Sequence, residues 1–248
     1  DSSVSAHLGT LLRLFYGRPL YASVQKTSLL FHQQLLRRLG WERAKSEKNT
    51  TTLLRSAAIV SLGLLGHKET LQKANVLFNK IKQGDTSLDS NLKGTIYALA
   101  AWQGNEKTFN YFLDRYKQEE LPEENRKLLR SLGLFQDKGL LHRALELSQS
   151  PTVRLQDSVM ISMMISINPV GQGLLWNWTK RNWRMLLQKY TCGTHMLPTF
   201  VHDLSYIDNK AVKREIQHFF QKKEHCRDDI RMALRQLWEK VDINIQVL

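Results

Sequence analysis

The chain has 248 residues, 42% of them hydrophobic and 24% charged, with a formal net charge of +13. That balance excludes a disordered chain, and the length suffices to bury one or two cores. The charge excess attracts anions such as nucleic acid, acidic lipid or a peptide carboxylate, but carries no information about fold.

Two cysteines, Cys192 and Cys226, stand without a CxxC spacing. No disulfide framework is indicated. Free thiols are expected, and a single bridge between the two stays open. No apolar run approaches the ~20 residues that span a bilayer; residues 59–65 are too short and contain Ser and Gly. No membrane partner is expected, no signal-peptide pattern is read, and the compartment is left open with the cytoplasm favoured. The first residue is Asp1 rather than Met, as in a processed chain or a piece of a longer polypeptide.

Five prolines among abundant Leu, Lys, Arg, Gln and Glu favour helices, because these side chains lose little rotamer freedom there. Helical periodicity predicts segments at about 3–16, 20–39, 50–66, 68–82, 88–103, 105–117, 121–132, 137–148, 151–167, 171–190, 208–221 and 223–242. Gly66, Gly84-Asp85 and Gly104-Asn105 supply turns. Pro122, Pro151 and Pro169 stand where helices can begin. Residues 50–52 (Thr-Thr-Thr) and Asp137 are candidate caps, as is Asn168 for the helix that follows it, and Gly193 is a candidate stop. In the last helix Ile230, Ala233, Leu234, Leu237, Trp238 and Val241 form one apolar stripe, with Asp228 and Asp229 in its first turn. Trp176, Trp183, Leu187 and Tyr190 form another. The tail 243–248 alternates briefly and is expected to fray or dock rather than pair in a sheet.

The helices come in pairs with repeat lengths in the thirties. That spacing suits a stack of helix pairs. The expectation is an all-α, HEAT-like superhelix of about 12 helices forming a concave bowl, as a single domain over 1–248.

The search for chemistry is mostly negative. There is no HExxH, P-loop or GxSxG elbow. Gly171-Gln172-Gly173 lacks a third glycine and a preceding strand, so it reads as a helix start. His225 beside Cys226 is the nearest approach to a ligand pair, but neighbours on a helix point apart. Asp203 beside His202 has no partnered nucleophile. Glu119, Glu120, Glu123 and Glu124 read as a solvated helix start. Asn49-Thr50-Thr51 and Asn177-Trp178-Thr179 match the glycosylation pattern, the second inside a helix where a glycan fits poorly. Arg37-Arg38, Lys180-Arg181 and Lys222-Lys223 are separate basic pairs and not one tract. No catalytic, cofactor-binding or metal-binding residue is assigned to this chain.

One stretch is more specific. Asn168-Pro169-Val170-Gly171, then Leu174-Leu175-Trp176-Asn177-Trp178, then Asn182-Trp183-Arg184-Met185-Leu186 resembles a signature in the C-terminal domain of the aminopeptidase N family of zinc metallopeptidases. Supporting matches are Leu54-Arg55, Ala74 with Phe78, Gln156-Asp157, and Ala233-Leu234, Val241 and Asn244-Ile245. The resemblance covers the chain from about residue 53 onward, and more loosely the first fifty. It departs at Trp178, where the family usually has Phe, and at Ile167, where antigen-trimming members have Arg.

The resemblance implies a HEAT-like bowl that packs against a separate zinc catalytic domain, encloses the peptide and gates open and closed states. Zinc then belongs to that parent domain, and the expected partners are the other domains of the same aminopeptidase and the peptide substrate. The alternatives are a basic nucleic-acid-binding scaffold, for which no recognition motif is present, and a protein-adaptor solenoid.

Overall fold

The computed structural model describes residues 1–248 except 45 and 191–193. Among the described residues there are thirteen α-helices and no strand, so the chain is all-α. Cys192 and Gly193, named above as a thiol and a helix stop, lie outside the described residues. The chain divides into two compact units, Asp1–Ser131 and Leu132–Leu248.

The first unit holds α1 (Ser2–Leu14), α2 (Tyr21–Leu39), α3 (Asn49–Leu64), α4 (Lys68–Lys82), α5 (Ser90–Trp102), α6 (Glu106–Gln118) and nearly all of α7 (Pro122–Leu132). Helix α7 begins on its proline, where the missing N–H would have been orphaned anyway. Gly66 and Gly84, with φ of 83° and 86°, turn the chain after α3 and α4. Helix α3 packs on α2, α4 and α5. Between α4, α5 and α6 the rings of Phe78, Tyr97, Tyr111 and Phe112 meet edge-on at 5.4–6.4 Å, a geometry that adds to their area burial. Helix α1 is tied to α2 by Ser5, whose hydroxyl lies 2.9 Å from Nε2 of the buried His32. Burial pushes the His32 imidazole below its usual pKa.

The threonine cap expected for α3 is not formed. The helix starts at Asn49 after Lys48, with no side-chain cap. Thr52 instead donates its hydroxyl to Glu47 Oε1 at 2.9 Å, in a buried ion-pair site described below.

The second unit holds α8 (Lys138–Gln149), a 3₁₀ turn Leu155–Asp157, α9 (Val159–Ile167), α10 (Gln172–Lys189), α11 (Met196–His202), a 3₁₀ turn Asp203–Tyr206, α12 (Lys210–Gln221), a 3₁₀ turn Asp228–Ile230 and α13 (Arg231–Val247). Asp137 caps α8 as expected, accepting from the Leu140 N–H at 2.9 Å. The stripe predicted for the last helix is the buried face of α13: Ala233, Leu234, Leu237 and Val241 are all buried.

Two helices start later than predicted and one helix was not predicted. The segment 151–167 is helical only from Val159, because Ser158 spends its hydroxyl on the Leu155 carbonyl at 2.6 Å, within a 3₁₀ turn. The last helix starts at Arg231 rather than 223 and runs to Val247, so the tail is helical rather than frayed. Helix α11 falls in a stretch assigned no helix. Its Pro198 occupies the third position, inside the first turn, where no intrahelical N–H bond is lost.

Close backbone approach positions α9. A Cβ on Gly133 would stand 2.7 Å from Met164 Cβ and 2.8 Å from the Ile161 carbonyl oxygen. One on Gly171 would stand 2.5 Å from the Ile165 carbonyl oxygen. Neither obstacle is the free end of a side chain, so the helices must separate to admit a methyl group. Gly133→Ala is therefore expected to lower unfolding stability by about 1–3 kcal/mol, read as a shift of the denaturant midpoint without a change of slope.

Candidate functional site

The residues that carry the family resemblance do one kind of work. Arg55, 2% exposed, reaches back from α3 to the end of α2, donating Nε to the Gly40 carbonyl at 3.0 Å and Nη2 to the Leu39 carbonyl at 3.1 Å. Its guanidinium also forks onto Glu47, with Nη1 to Oε1 at 2.5 Å and Nη2 to Oε2. The Glu47 carboxyl is held down to about 2, first by the hydrogen bond from Arg55.

Asn168 follows α9, and its side-chain amide is fully used. Nδ2 donates to the carbonyls of Gly133 (3.2 Å) and Phe135 (2.9 Å). Oδ1 accepts from the Val170 N–H (3.1 Å) and from Gln136 Nε2 (3.3 Å). Asn168 thus ties the α9–α10 turn to the segment before α8. It does not cap α10, the role expected of it; α10 starts after Gly171 with no side-chain cap. Asn244 repeats the device from α13, donating Nδ2 to the Ser205 and Ile207 carbonyls at 3.0 and 3.2 Å.

The tryptophans fill seams. Trp176 and Trp183 meet Phe219 edge-on at 5.4 and 6.0 Å, joining α10 to α12. Trp178, which replaces the family's usual Phe, spends its additional N–H on Glu146 Oε1 at 2.6 Å. Ile167, in place of an arginine, is exposed at the end of α9.

The other residues singled out from sequence do not assemble into a reactive group. His225 stacks on Phe219 with ring centroids 3.9 Å apart, and its Nδ1 lies 2.8 Å from the Phe219 carbonyl, so the ring is engaged by Phe219 on its face and at one nitrogen. Asp203 is buried while His202 beside it is exposed. Glu124 pairs with Lys127 at 2.6 Å and Glu119 with Arg115 at 3.1 Å. Asn177 is exposed but Thr179 of the same glycosylation pattern is fully buried, whereas Asn49 and Thr50 are exposed. Among the basic pairs, Arg38 is matched by Asp1 and Lys180 by Glu215. Among the described residues no three His, Cys, Asp or Glu side chains gather as a metal site.

Sequence reasoning missed two features. Arg227 forks onto Asp229 (2.7 and 2.6 Å) and donates to the Leu187 and Tyr190 carbonyls at the end of α10 (3.3 and 2.7 Å). The signal was the Arg-x-Asp spacing just before the last helix. The second is a cleft in the first unit of about 450 Å³, the size of a small-ligand pocket. Leu77, Ile81 and Leu92 give it an apolar lining, and Arg43, Lys73 and Lys80 supply cations. Lys73 Nζ stands 4.8 Å from the centre of the Trp41 ring, a cation–π contact. Three acids, Glu42, Asp85 and Asp89, line it as well, and Asp89 is committed to the start of α5. Asp85 accepts from the Ser87 N–H, and Ser87 first, then Lys80, lowers its pKa. A second cleft of about 400 Å³ shares Trp41 and Lys73. Arg55 joins residues 39, 40 and 47, the two ends of the loop that carries Trp41 and Arg43.

Comparison with known proteins bears on these observations. The family model described as "ERAP1-like C-terminal domain" matches residues 2–243. The chain belongs to that family. It is 31% identical to mouse glutamyl aminopeptidase over 186 residues, covering 74% of this chain and 20% of the relative. The human glutamyl aminopeptidase is also 31% identical, covering 74% and 19%. The rice (Oryza sativa subsp. japonica) aminopeptidase M1-A is 26% identical over 227 residues, covering 89% and 25%. The chain thus spans about a fifth to a quarter of the length of these relatives, and the resemblance to the aminopeptidase N family holds at the level of its C-terminal domain.

Within this ERAP1-like domain the Arg55–Glu47 pair gives a pH-dependent prediction. Glu47 ionises more easily folded than unfolded, so its contribution is present above the ordinary carboxylate range and is lost as pH falls through about 2. Glu47→Gln should lower the thermal midpoint at neutral pH, and the gap to the parent chain should narrow steadily as pH falls below about 4 in parallel melts.

Proposed function

We propose that this chain is the substrate-enclosing C-terminal domain of a zinc aminopeptidase that removes N-terminal residues from peptides. The observation that carries the reading is the family match over nearly the whole chain, joined to relatives that are named aminopeptidases and of which the chain spans about a fifth. A HEAT-like stack of helix pairs that shapes a peptide chamber and gates its closure is the architecture this reading requires. Closure of such a chamber excludes water and strengthens the charge interactions inside it.

The zinc implied by the family does not fit this chain. The donor set is wrong: the histidines are dispersed, and the described residues bring no three ligating side chains together. Metal and hydrolysis are therefore assigned to the other domains of the parent polypeptide, and the role here is binding and positioning. The cleft at Trp41 is the proposed peptide-contacting surface in the first unit. Its apolar lining takes an uncharged side chain, while Arg43 and Lys73 face a carboxylate or a backbone carbonyl.

The isolated chain is expected to turn over no aminoacyl reporter and to bind no stoichiometric zinc; zinc at one equivalent together with turnover, in a preparation free of other peptidases, would refute the reading. In the whole parent protein, Trp41→Ala combined with Lys73→Ala should leave turnover of a single-residue reporter unchanged. The same variant should lower kcat/KM for a longer peptide about tenfold, the equivalent of roughly 1.4 kcal/mol. Equal effects on both substrates would remove the cleft from the proposal.

A further inference from the structure

Ser158, Ser162 and Ser166 recur every fourth residue on one face of α9 and the turn before it. Each hydroxyl lies close to the carbonyl three residues back: Leu155 at 2.6 Å, Val159 at 2.9 Å and Met163 at 2.6 Å. A hydroxyl has a single proton to give. Where that proton goes to the carbonyl, any further polar atom beside the serine has to be a donor. At Ser158 the further atom is the Tyr190 hydroxyl, 2.8 Å away, which Gln149 Nε2 approaches in turn at 3.2 Å. The donors can run in one direction, from Gln149 to Tyr190 to Ser158 to Leu155, giving each hydroxyl proton one acceptor.

At Ser162 the corresponding atom is Asp203 Oδ2, 2.7 Å away. A carboxylate there would compete with the Val159 carbonyl for the one hydroxyl proton. A carboxylic acid donates to Ser162 and leaves the serine free to serve Val159, as Tyr190 does one turn earlier.

The surroundings favour the acid. Asp203 is 4% exposed and opens the 3₁₀ turn Asp203–Tyr206. That turn packs on α9, α10, α11 and α13. The buried side chains of these four helices are apolar, or uncharged like Ser162, Thr179 and Asn244. Tyr190, just past α10, is the one buried titratable neighbour among the described residues, and burial pushes its hydroxyl upward. Lys180, Arg181, Arg184 and Lys189 on α10, His202 on α11, and the charged residues of α13 are exposed or half-buried. None is hydrogen-bonded or ion-paired to Asp203 among the contacts described.

We propose that Asp203 is a neutral carboxylic acid that latches the Asp203–Tyr206 turn onto α9 through Ser162, and that loss of its proton loosens the latch. Burial pushes this carboxyl up to about 7, with the Ser162 hydroxyl acting in the opposite sense. A folded-state value raised above the unfolded one gives stability that is complete below the ordinary carboxylate range and is lost as pH rises toward neutrality. The second unit is thereby tighter in acid than at neutral pH, a behaviour opposite to that of the Glu47 site in the first unit.

The test is a ¹³C-carboxyl NMR titration of the full 248-residue chain beside Asp203→Asn, with hydrogen exchange of residues 159–167 and 196–207 at about pH 5.5 and pH 8, corrected for intrinsic rates. One carboxyl resonance should titrate near neutrality and be missing from the variant. Protection of both segments should fall with pH in the parent chain and stay level in Asp203→Asn, whose amide still donates to Ser162. An Asp203 resonance titrating in the ordinary carboxylate range overturns the proposal, and this holds even if the variant does not fold. An equal loss of protection in parent and variant overturns it as well.

Discussion

Every break between helices leaves backbone carbonyls without an intrahelical partner, and a chain built only of helices has no sheet to absorb them. This protein meets that constraint with a few long polar side chains. Arg55 takes the carbonyls of Leu39 and Gly40 where α2 ends. Arg227 takes those of Leu187 and Tyr190 where α10 ends. Asn168 and Asn244 each bridge two carbonyls, two residues apart, in irregular segments. The two arginines, Arg55 buried and Arg227 half-buried, are each neutralised by a carboxylate in a two-point fork, which turns a desolvated cation from a liability into a fixed strut. An arginine fork reaches further than an asparagine, and it appears where the carbonyls belong to a helix end rather than to a tight turn.

This explains why the signature that identifies the family contains no reactive group. Asn168, Trp176, Trp183 and Asn244 are diagnostic because their spacing fixes where helices stop and which seam each ring fills. They are embedded in the fold, and the surface left for function is set by what they hold in place. The Trp41 cleft is the clearest instance. Its tryptophan and its arginine sit on the loop that Arg55 and Glu47 fasten, so the geometry of an exposed wall depends on a charge pair beneath it.

Much of the helical layout was legible in sequence because periodicity and proline placement act locally. Helix α4 was expected at 68–82 and is found there, and the apolar stripe ending at Val241 is the buried face of α13. Several differences share a cause: a side chain near the boundary had a partner that local patterns do not contain. Thr52 serves Glu47 instead of capping α3. Asn168 serves two carbonyls more than thirty residues away instead of capping α10. The tail, expected to fray or dock, is docked by Asn244 and stays helical, which its brief alternation did not show. Of the candidate site, the cations were countable from the sequence. Their assembly around Trp41 was not, because it joins the loop before α3 to α4 and α5 between Trp41 and Leu92.

The same reasoning separates the two buried carboxylates. Glu47 accepts from a guanidinium and from Thr52, so its ionised form is the one the fold is built around. Asp203 meets a hydroxyl whose proton already has a carbonyl to serve, inside a shell of uncharged side chains, so its protonated form completes the network. Burial alone does not decide which species a buried acid adopts. At Glu47 the hydrogen bond from Arg55 outweighs burial, whereas at Asp203 burial outweighs the Ser162 hydroxyl, so the two acids go opposite ways.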